Sequence, residues 1–229
     1  MSGEVLSGAA LKQKLSARYQ LAEAVHQIGE REVIIFSVGN SYDLLEKISA
    51  DEFREDEKMP YWAEVWASSI ALARYAASAL RLQGVRCLEL GAGVGAVSVS
   101  LAAQGADVVA TDYFEDALDF IRLNAETNLV PVETRWLDWR GVTLPEKFEF
   151  IFAADVLYER RNHLPVLEAI EKLLAPHGTA FVADPQRAVA ENFLVLAREN
   201  NFSIETDLQE IIFNDMPQTV AIHGLRRPD

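Results

Sequence analysis

From Val85 onward the chain alternates between short apolar runs and amphipathic helical patterns, and this alternation constrains the fold more than any other feature. Strand-like runs separated by helices of about 10–15 residues are typical of βαβ units, which build a parallel sheet covered by helices on both faces. We therefore predict an α/β fold with a doubly wound, mainly parallel sheet of seven strands. The predicted strands are Val85–Leu90, Asp107–Thr111, Val132–Trp136, Phe148–Ala154, Thr179–Ala183, Phe202–Thr206 and Thr219–Gly224.

Helical patterns fill the intervals between most of these strands. The predicted helices are Val94–Gln104, Glu115–Asn128, Asn162–Leu174 and Val189–Asn200. The last two strands have no helical pattern between them, so we expect them to pair antiparallel.

The residues before position 84 follow a different pattern. They predict a helix at Ala9–Ile28, a hairpin of Glu32–Val38 with Tyr42–Leu45 around Gly39-Asn40, and a helix at Ser68–Leu82. We divide the chain into an N-terminal helix-and-hairpin extension, residues 1–58, packed on the sheet domain, residues 59–229.

The charge of the chain argues against nucleic acid as a partner. The formal net charge is −14, from 35 acidic and 21 basic residues, so a phosphate backbone is repelled on average. Arg160-Arg161 and Arg226-Arg227 are pairs and form no basic patch, so nucleic acid is not expected. A basic or lysine-bearing partner is accommodated more easily.

Cysteine and histidine usage argues against a disulfide or a metal site. The single cysteine, Cys87, lies in an apolar strand and is expected to be a buried structural thiol. The four histidines show no HxxH or HxxxH spacing, so no metal is expected. The sequence has neither a signal-peptide pattern nor a run of about 18 apolar residues, so we expect a cytoplasmic protein without a membrane span. The sequence does not indicate the oligomeric state, for which a monomer is the default expectation.

A glycine-rich stretch, LELGAGVGA, joins the first core strand to the next helix. Gly91, Gly93 and Gly95 permit a tight turn and a close backbone approach to a ligand at a helix N-terminus. Asp112 follows the next strand, about 20 residues on, the spacing of a ribose-binding carboxylate. The ribose of either NAD or S-adenosylmethionine (SAM) satisfies this pattern, and a glycine turn without a ligand is the structural alternative.

Three features favour SAM over NAD. Glu89 precedes the glycines, where it suits a positively charged methionine moiety and would repel a pyrophosphate. Asp138-Trp139 follows the third strand and offers an acceptor for an adenine amine beside an aromatic wall. An N-terminal extension before the nucleotide-binding strand is also less usual for a dehydrogenase.

The stretch LELGAGVGAVSVSLAAQGADVVATDY resembles the cofactor motifs of Rossmann-like class I SAM-dependent methyltransferases. PYWAEVWASSIALARYA, LDWR and ADVLYE narrow this to the seven-β-strand protein lysine methyltransferase-like family. Its bacterial branch is related to the electron-transfer-flavoprotein β-subunit lysine methyltransferases and often labelled nicotinamide N-methylase-like. The resemblance covers about residues 59–187.

The resemblance implies a role for each matched position. Around SAM it places Glu89, Gly91, Ala92, Gly93, Gly95, Asp112, Tyr113, Asp138, Trp139, Ala154 and Trp66. Asp155 and Tyr158 match the family's D-x-x-Y signature and are implied to be catalytic and to bind substrate, with Trp62 closing over the pocket.

Structural roles remain open for the acceptor-side residues. Asp155 could cap the following helix, Tyr158 could pack against the sheet edge, and Trp62 and Trp66 could form one face of a short core helix. No asparagine-proline signature follows the fourth strand, which disfavours glutamine and adenine as acceptors.

The leading functional prediction is a SAM-dependent protein lysine N-methyltransferase. The alternative is a small-molecule N- or O-methyltransferase of the same fold, acting for example on a small amine, because fold and cofactor do not fix the acceptor. A non-catalytic SAM-binding module and an NAD-dependent oxidoreductase are further alternatives.

Overall fold

A computed structural model describes residues 6–41, 44 and 60–228. The helices are α1 (Gly8–Ser16), α2 (Ala67–Ala79), α3 (Ala96–Ala103), α4 (Glu115–Thr127), α5 (Arg160–Leu173) and α6 (Glu191–Glu199). The strands are β1 (Leu21–Ile28), β2 (Arg31–Val38), β3 (Arg86–Leu90), β4 (Asp107–Asp112), β5 (Glu133–Trp136), β6 (Phe148–Ala154), β7 (Leu174–Asp184), β8 (Ser203–Phe213) and β9 (Met216–Arg226). Short 3-10 turns occupy Tyr61–Ala63, Trp139–Gly141 and Ala188–Ala190.

The main sheet has seven strands in the order β5-β4-β3-β6-β7-β9-β8. Pairing is parallel from β5 to β7, whereas β9 runs antiparallel to both β7 and β8. The predicted doubly wound sheet and its antiparallel final pair are confirmed. The direction of strand order reverses between β3 and β6, with β4 beyond β3 on one side and β7 beyond β6 on the other. The carboxyl ends of β3, β4 and β6 therefore lie at the switch point where α/β sheets bind ligands.

Helices cover both faces of this sheet. α5 and α6 pack on one face around Phe148, Ile170 and Phe193, and α2 and α3 pack on the other around Leu72 and Phe181. Cys87 is buried, as predicted, and burial raises the pKa of its thiol to about 12. Within the described residues, no helix is long and apolar enough to cross a membrane.

Two details of the predicted secondary structure differ. The final strands are longer than predicted, because their antiparallel ladder continues to Phe213 and Met216. α5 begins at Arg160 after Glu159, so Asp155 does not cap that helix.

The prediction of one helix over Ala9–Ile28 is wrong. α1 ends at Ser16, and the following residues form β1, which pairs along its whole length with β2 around a turn at Gly29 (φ 58°). Tertiary pairing thus overrides the local helical pattern. The hairpin turn is therefore not at Gly39-Asn40, and of the predicted partner strand 42–45 only residue 44 is described.

Asn124 of α4 and Asn128, the residue that follows this helix, attach the N-terminal hairpin to the core. The side-chain amide of Asn124 accepts a hydrogen bond from Phe36 N (2.7 Å) and donates to Phe36 O (2.9 Å) and to Val94 O (2.8 Å). Asn128 pairs in the same way with the backbone of Ile34. These amides satisfy the free edge of β2, as a neighbouring strand would. The predicted division at residues 58 and 59 falls outside the described residues and stays a prediction.

Replacing Asn124 with leucine should lower the free energy of unfolding by about 3 kcal/mol or more, because it leaves buried backbone groups of Phe36 and Val94 without partners. Chemical denaturation measures this. Asn200→Leu is the matched control. The side-chain amide of Asn200 donates to Leu196 O, one turn earlier in α6, so its contact is local. We expect this variant to lose less than about 1 kcal/mol. Equal losses in the two variants would contradict the role of Asn124 as a tie between hairpin and core.

Candidate active site

A cavity of about 250 Å³ opens at the carboxyl ends of β3, β4 and β6. All the predicted site residues except Gly95 line it: Trp62, Trp66, Glu89, Gly91, Ala92, Gly93, Asp112, Tyr113, Asp138, Trp139, Ala154, Asp155 and Tyr158. The structure therefore brings residues from both halves of the predicted site to one place.

The glycine turn after β3 forms the floor of this cavity. Gly91 and Gly93 have φ values of 65° and 55°, in the left-handed region that favours glycine. A Cβ at Gly91 would lie 2.9 Å from the Trp139 ring, and one at Gly93 would lie 3.0 Å from the backbone oxygen of Trp62. Gly95 does not line the cavity; it turns the chain into α3 and packs closely against Ile121.

Asp112, at the end of β4, is buried and held by backbone amides. Its Oδ2 accepts from Gly93 N (2.8 Å) and its Oδ1 from Phe114 N (2.9 Å). Burial nevertheless raises the pKa of this carboxyl to about 6. Since each oxygen keeps a further lone pair, Asp112 can also accept hydrogen bonds from a ligand in the cavity.

Glu89 is a second buried carboxyl on the cavity wall. Its Oε2 accepts hydrogen bonds from the Ser98 backbone N–H (2.8 Å) and hydroxyl, in the first turn of α3. Burial outweighs these bonds and raises the pKa of Glu89 to about 8. A ligand that places a cation beside this carboxyl would offset the cost of its charge.

The opposite end of the cavity is aromatic and carries Asp138. Trp139 lies against the glycine turn, and Tyr113 lies under the Arg140 guanidinium, 5.3 Å from its ring centroid. Asp138 accepts from Arg140 N (2.9 Å) and pairs with its guanidinium. Arg140, which the sequence did not single out, thus shares the carboxylate predicted for adenine.

Asp155 and Tyr158 lie on the wall beyond the end of β6. Asp155 has a φ of 60°, and its N–H donates to Ala183 O (2.9 Å), which continues the β6–β7 pairing by one residue. Its Oδ1 lies 2.6 Å from Arg187 Nη1. Tyr158 contacts Tyr61 edge-on at 5.0 Å, and burial raises the pKa of its phenol to about 12.

The predicted tryptophans differ in their surroundings. Trp62 packs among Tyr19, Phe114 and Phe120 with ring centroids 5.8–6.0 Å apart, so much of its ring belongs to the core beneath α1 and α4. Trp66 immediately precedes α2, donates from Nε1 to Tyr61 O (2.9 Å) and packs against the Tyr61 ring. They do not form one face of a core helix.

Sequence reasoning missed Arg187 as a site residue. Its Nη1 lies 2.9 Å from Asp184 Oδ2 as well as against Asp155, and its backbone N–H donates to Asp184 Oδ1 (2.6 Å). The available signal was Asp184-Pro185, which marks a turn after the fifth core strand, but no local pattern indicates that this turn reaches Asp155.

The chemistry of these groups fits SAM. Two buried carboxyls with raised pKa values suit a ligand that brings a positive charge and ribose hydroxyls, whereas a pyrophosphate would add negative charge to them. The sheet order, the glycine turn and the acid ending the next strand define a class I SAM-dependent methyltransferase.

Comparison with known proteins gives the family. A model of the lysine methyltransferase family matches residues 49–200, and the chain belongs to that family. It is 32% identical over 152 residues to EEF1A lysine methyltransferase 3 of Mus musculus, covering 62% of this chain and 65% of that protein. It is 35% identical over 162 residues to protein N-lysine methyltransferase METTL21A of Xenopus tropicalis, covering 67% of this chain and 74% of that protein.

A solved structure supports the fold alone. The N-methyltransferase NodS from Bradyrhizobium japonicum, in complex with S-adenosyl-L-homocysteine (SAH), superposes with a TM-score of 0.58 at 20% identity. The match covers 83% of this chain and 100% of that one.

The affinity for SAH should rise with pH between about 5 and 8. In the free protein the pKa values of Asp112 and Glu89 are raised, so both carboxyls are protonated at pH 5 and must lose protons to pair with the ligand's cationic amino group and hydroxyls. The gain should reach up to about tenfold per pH unit where one proton is released. Calorimetric titration in buffers of different ionisation enthalpy counts these protons. Glu89→Gln should flatten the profile from pH 7 to 8, and a flat wild-type profile would refute the coupling.

Proposed function

We propose that this protein transfers the methyl group of SAM to a lysine side chain of a protein substrate. The observation that carries the proposal is the shared cavity, in which the carboxyls suited to SAM face Asp155 and Tyr158 across the ends of β3 and β6. Membership of the lysine methyltransferase family and the names of the two relatives support the choice of acceptor.

When bound, SAM supplies a methyl group already activated by a positively charged sulfur. The protein must then align the acceptor nitrogen, exclude water and control charge. The glycine turn, Glu89 and Asp112 fix the cofactor end of this alignment. Ala154 and Asp155 lie where β6 ends beside β3, and they position the acceptor end.

Asp155 is the group that we assign to the capture of the incoming ammonium. A free lysine has a pKa of about 10.4, so it arrives charged, but it reacts as the neutral amine. The aromatic rings of Tyr61, Tyr158 and Trp66 surround the alkyl chain and exclude water as it enters. Burial there, together with the cofactor's positive charge, lowers the pKa of the amine, and its proton passes to solvent water as the site closes.

Arg187 acts through Asp155 as a positioning residue. Its guanidinium holds Asp155 Oδ1 from behind the cavity wall, since Asp155 lines the cavity and Arg187 does not. Ser68 of α2 and Asp184 at the end of β7 also face this carboxyl. Burial raises the pKa of Asp155, and Arg187 counteracts that rise.

A cytoplasmic location and a monomeric state stay predictions.

Incubation with methyl-labelled SAM and a cell lysate should place label on lysine of a discrete protein band. Asp155→Asn should reduce this label by at least about tenfold, because the neutral amide cannot hold the ammonium. Asp107→Asn, at the opposite end of the sheet, is the matched control and should label as the wild type does.

Label confined to small molecules would instead support the small-molecule alternative. Measurable SAM binding without any transfer would support a non-catalytic module. Full activity of Asp155→Asn would refute the assigned role of the carboxylate.

Replacing Arg187 with methionine should lower kcat/KM by about tenfold and move the acidic limb of its pH profile upward. Without the guanidinium the pKa of Asp155 rises further, so the charged form is reached at higher pH. Arg187→Lys should restore part of the activity, and SAH affinity should change less than about twofold. A lower Tm with an unshifted pH profile would mean that Arg187 has a structural role alone.

A further inference from the structure

The β8–β9 hairpin extends beyond the rest of the sheet on the side where the cavity opens. The last pair between β7 and β9 is Asp184 with Ala221, whereas β8 and β9 continue pairing to Phe213 and Met216. Asp184 marks the carboxyl end of β7, and the pair of Leu208 with Ala221 lies at its level, so residues 209–220 project past it. We call residues 208–220 the hairpin tip.

The hairpin tip is connected to the acceptor side of the cavity. The side chain of Gln186 donates to Thr219 O (3.4 Å), and the next residue is Arg187, which holds Asp155. A chain bound along the tip therefore lies within a few residues' reach of the proposed capture group.

The hairpin tip exposes three large apolar side chains. Leu208, Ile212 and Met216 are 58%, 72% and 63% exposed. Leu208 and Ile212 share one face of β8 with Glu210 between them, while the alternate residue Ile211 is buried. Met216 pairs with Phe213 and therefore lies on the other face of the hairpin. Single exposed apolar residues are ordinary, but two on one face of a projecting edge strand favour an interaction surface.

β8 also has an unpaired edge. In the part of the chain that the structure describes, its pairing partner is β9 alone, and β8 ends the sheet. An open edge of this length can accept an added strand, with the backbone supplying affinity and alternate side chains supplying specificity.

The charge of this segment indicates the kind of partner. Between Arg198 and Arg226 the sequence has no lysine or arginine, and its acids are Glu199, Glu205, Asp207, Glu210 and Asp215. Acids on an open edge oppose pairing with a second copy, because that would bring like charges together. They attract a basic segment.

We propose that the hairpin tip and the adjoining edge of β8 bind an extended segment of the protein substrate in which lysines alternate with aliphatic residues. The aliphatic side chains pack on Leu208 and Ile212 on one face of β8, and the alternating lysines face Glu205 and Asp207 on the other. The target lysine continues to Asp155. This inference rests on the proposed function and adds to it the sequence character of the substrate and where it docks.

A fluorescent peptide of alternating lysine and leucine tests the surface without any need for activity. By anisotropy it should bind the wild type, and Leu208→Ser/Ile212→Ser should weaken binding at least about tenfold. The matched control, Val25→Ser/Leu129→Ser, removes two exposed aliphatic side chains elsewhere and should leave binding unchanged. Glu205→Gln/Asp207→Asn should weaken binding, whereas Glu23→Gln/Glu32→Gln should not.

Three outcomes would overturn the proposal. One is equal binding of a lysine–serine peptide, which would mean attraction by charge alone. Another is unchanged binding by the hairpin variants. The third is a dimer of the wild type, seen in sedimentation, that Leu208→Ser/Ile212→Ser abolishes, since the surface would then be a contact between copies.

The labelled-lysate assay separates this proposal from the proposed function. If the wild type labels a protein, the hairpin variant should lower kcat/KM for it about tenfold while SAH affinity stays the same. Unchanged labelling would refute the docking surface and leave the methyltransferase function intact. If the wild type labels no protein, the proposed function fails, and the peptide measurements still decide whether the surface exists.

Discussion

Close packing around the glycine turn after β3 sets the positions of the surrounding elements. Trp139 approaches Gly91, the backbone of Trp62 approaches Gly93, and Ile121 of α4 approaches Gly95. A Cβ at each glycine would lie only 2.9–3.0 Å from its neighbour. The turn therefore fixes three independent parts of the chain around one point. Asn124 adds a fourth contact by donating to Val94 O within the turn. The N-terminal hairpin, although it lies outside the cavity, is thus connected to the glycine turn through the buried side-chain amide of Asn124.

The same turn concentrates negative charge where water is scarce. Glu89 and Asp112 are held by backbone amides, yet burial still raises their pKa values to about 8 and about 6. A carboxyl whose pKa is higher in the folded state than in the unfolded state contributes stability at a pH below its unfolded-state pKa. This contribution is lost as the pH rises through its folded-state pKa. Near neutral pH the free protein therefore carries an electrostatic cost that a cationic ligand relieves. Binding of a cationic ligand therefore stabilises the site.

The sheet and much of the cavity wall followed from the sequence because both depend on local signals. Buried strands, intervening helices and the glycine turn with Asp112 are readable in short windows. The N-terminal β1 was mistaken for helix because its identity depends on pairing with β2 and on the amides of α4. The sequence does not predict Arg187 as a site residue for a similar reason. Its position beside Asp155 depends on the β6–β7 pairing and on the turn at Asp184. Long-range pairing decides both cases.

In the proposed mechanism, the arrangement around Asp155 serves two opposing requirements of amine methylation. A carboxylate that attracts an ammonium also raises its pKa and so opposes the proton loss that must precede attack. Arg187 pairs with both Asp155 and Asp184, so one guanidinium shares its charge with two carboxylates and the three ionised groups carry a net charge of −1. That negative charge is spread over two carboxylates beside a cation, so it attracts an incoming ammonium less strongly than a carboxylate without such a partner. In the proposed mechanism, this weaker attraction lets the aromatic wall and the cofactor's positive charge lower the pKa of the amine, so that it can lose its proton.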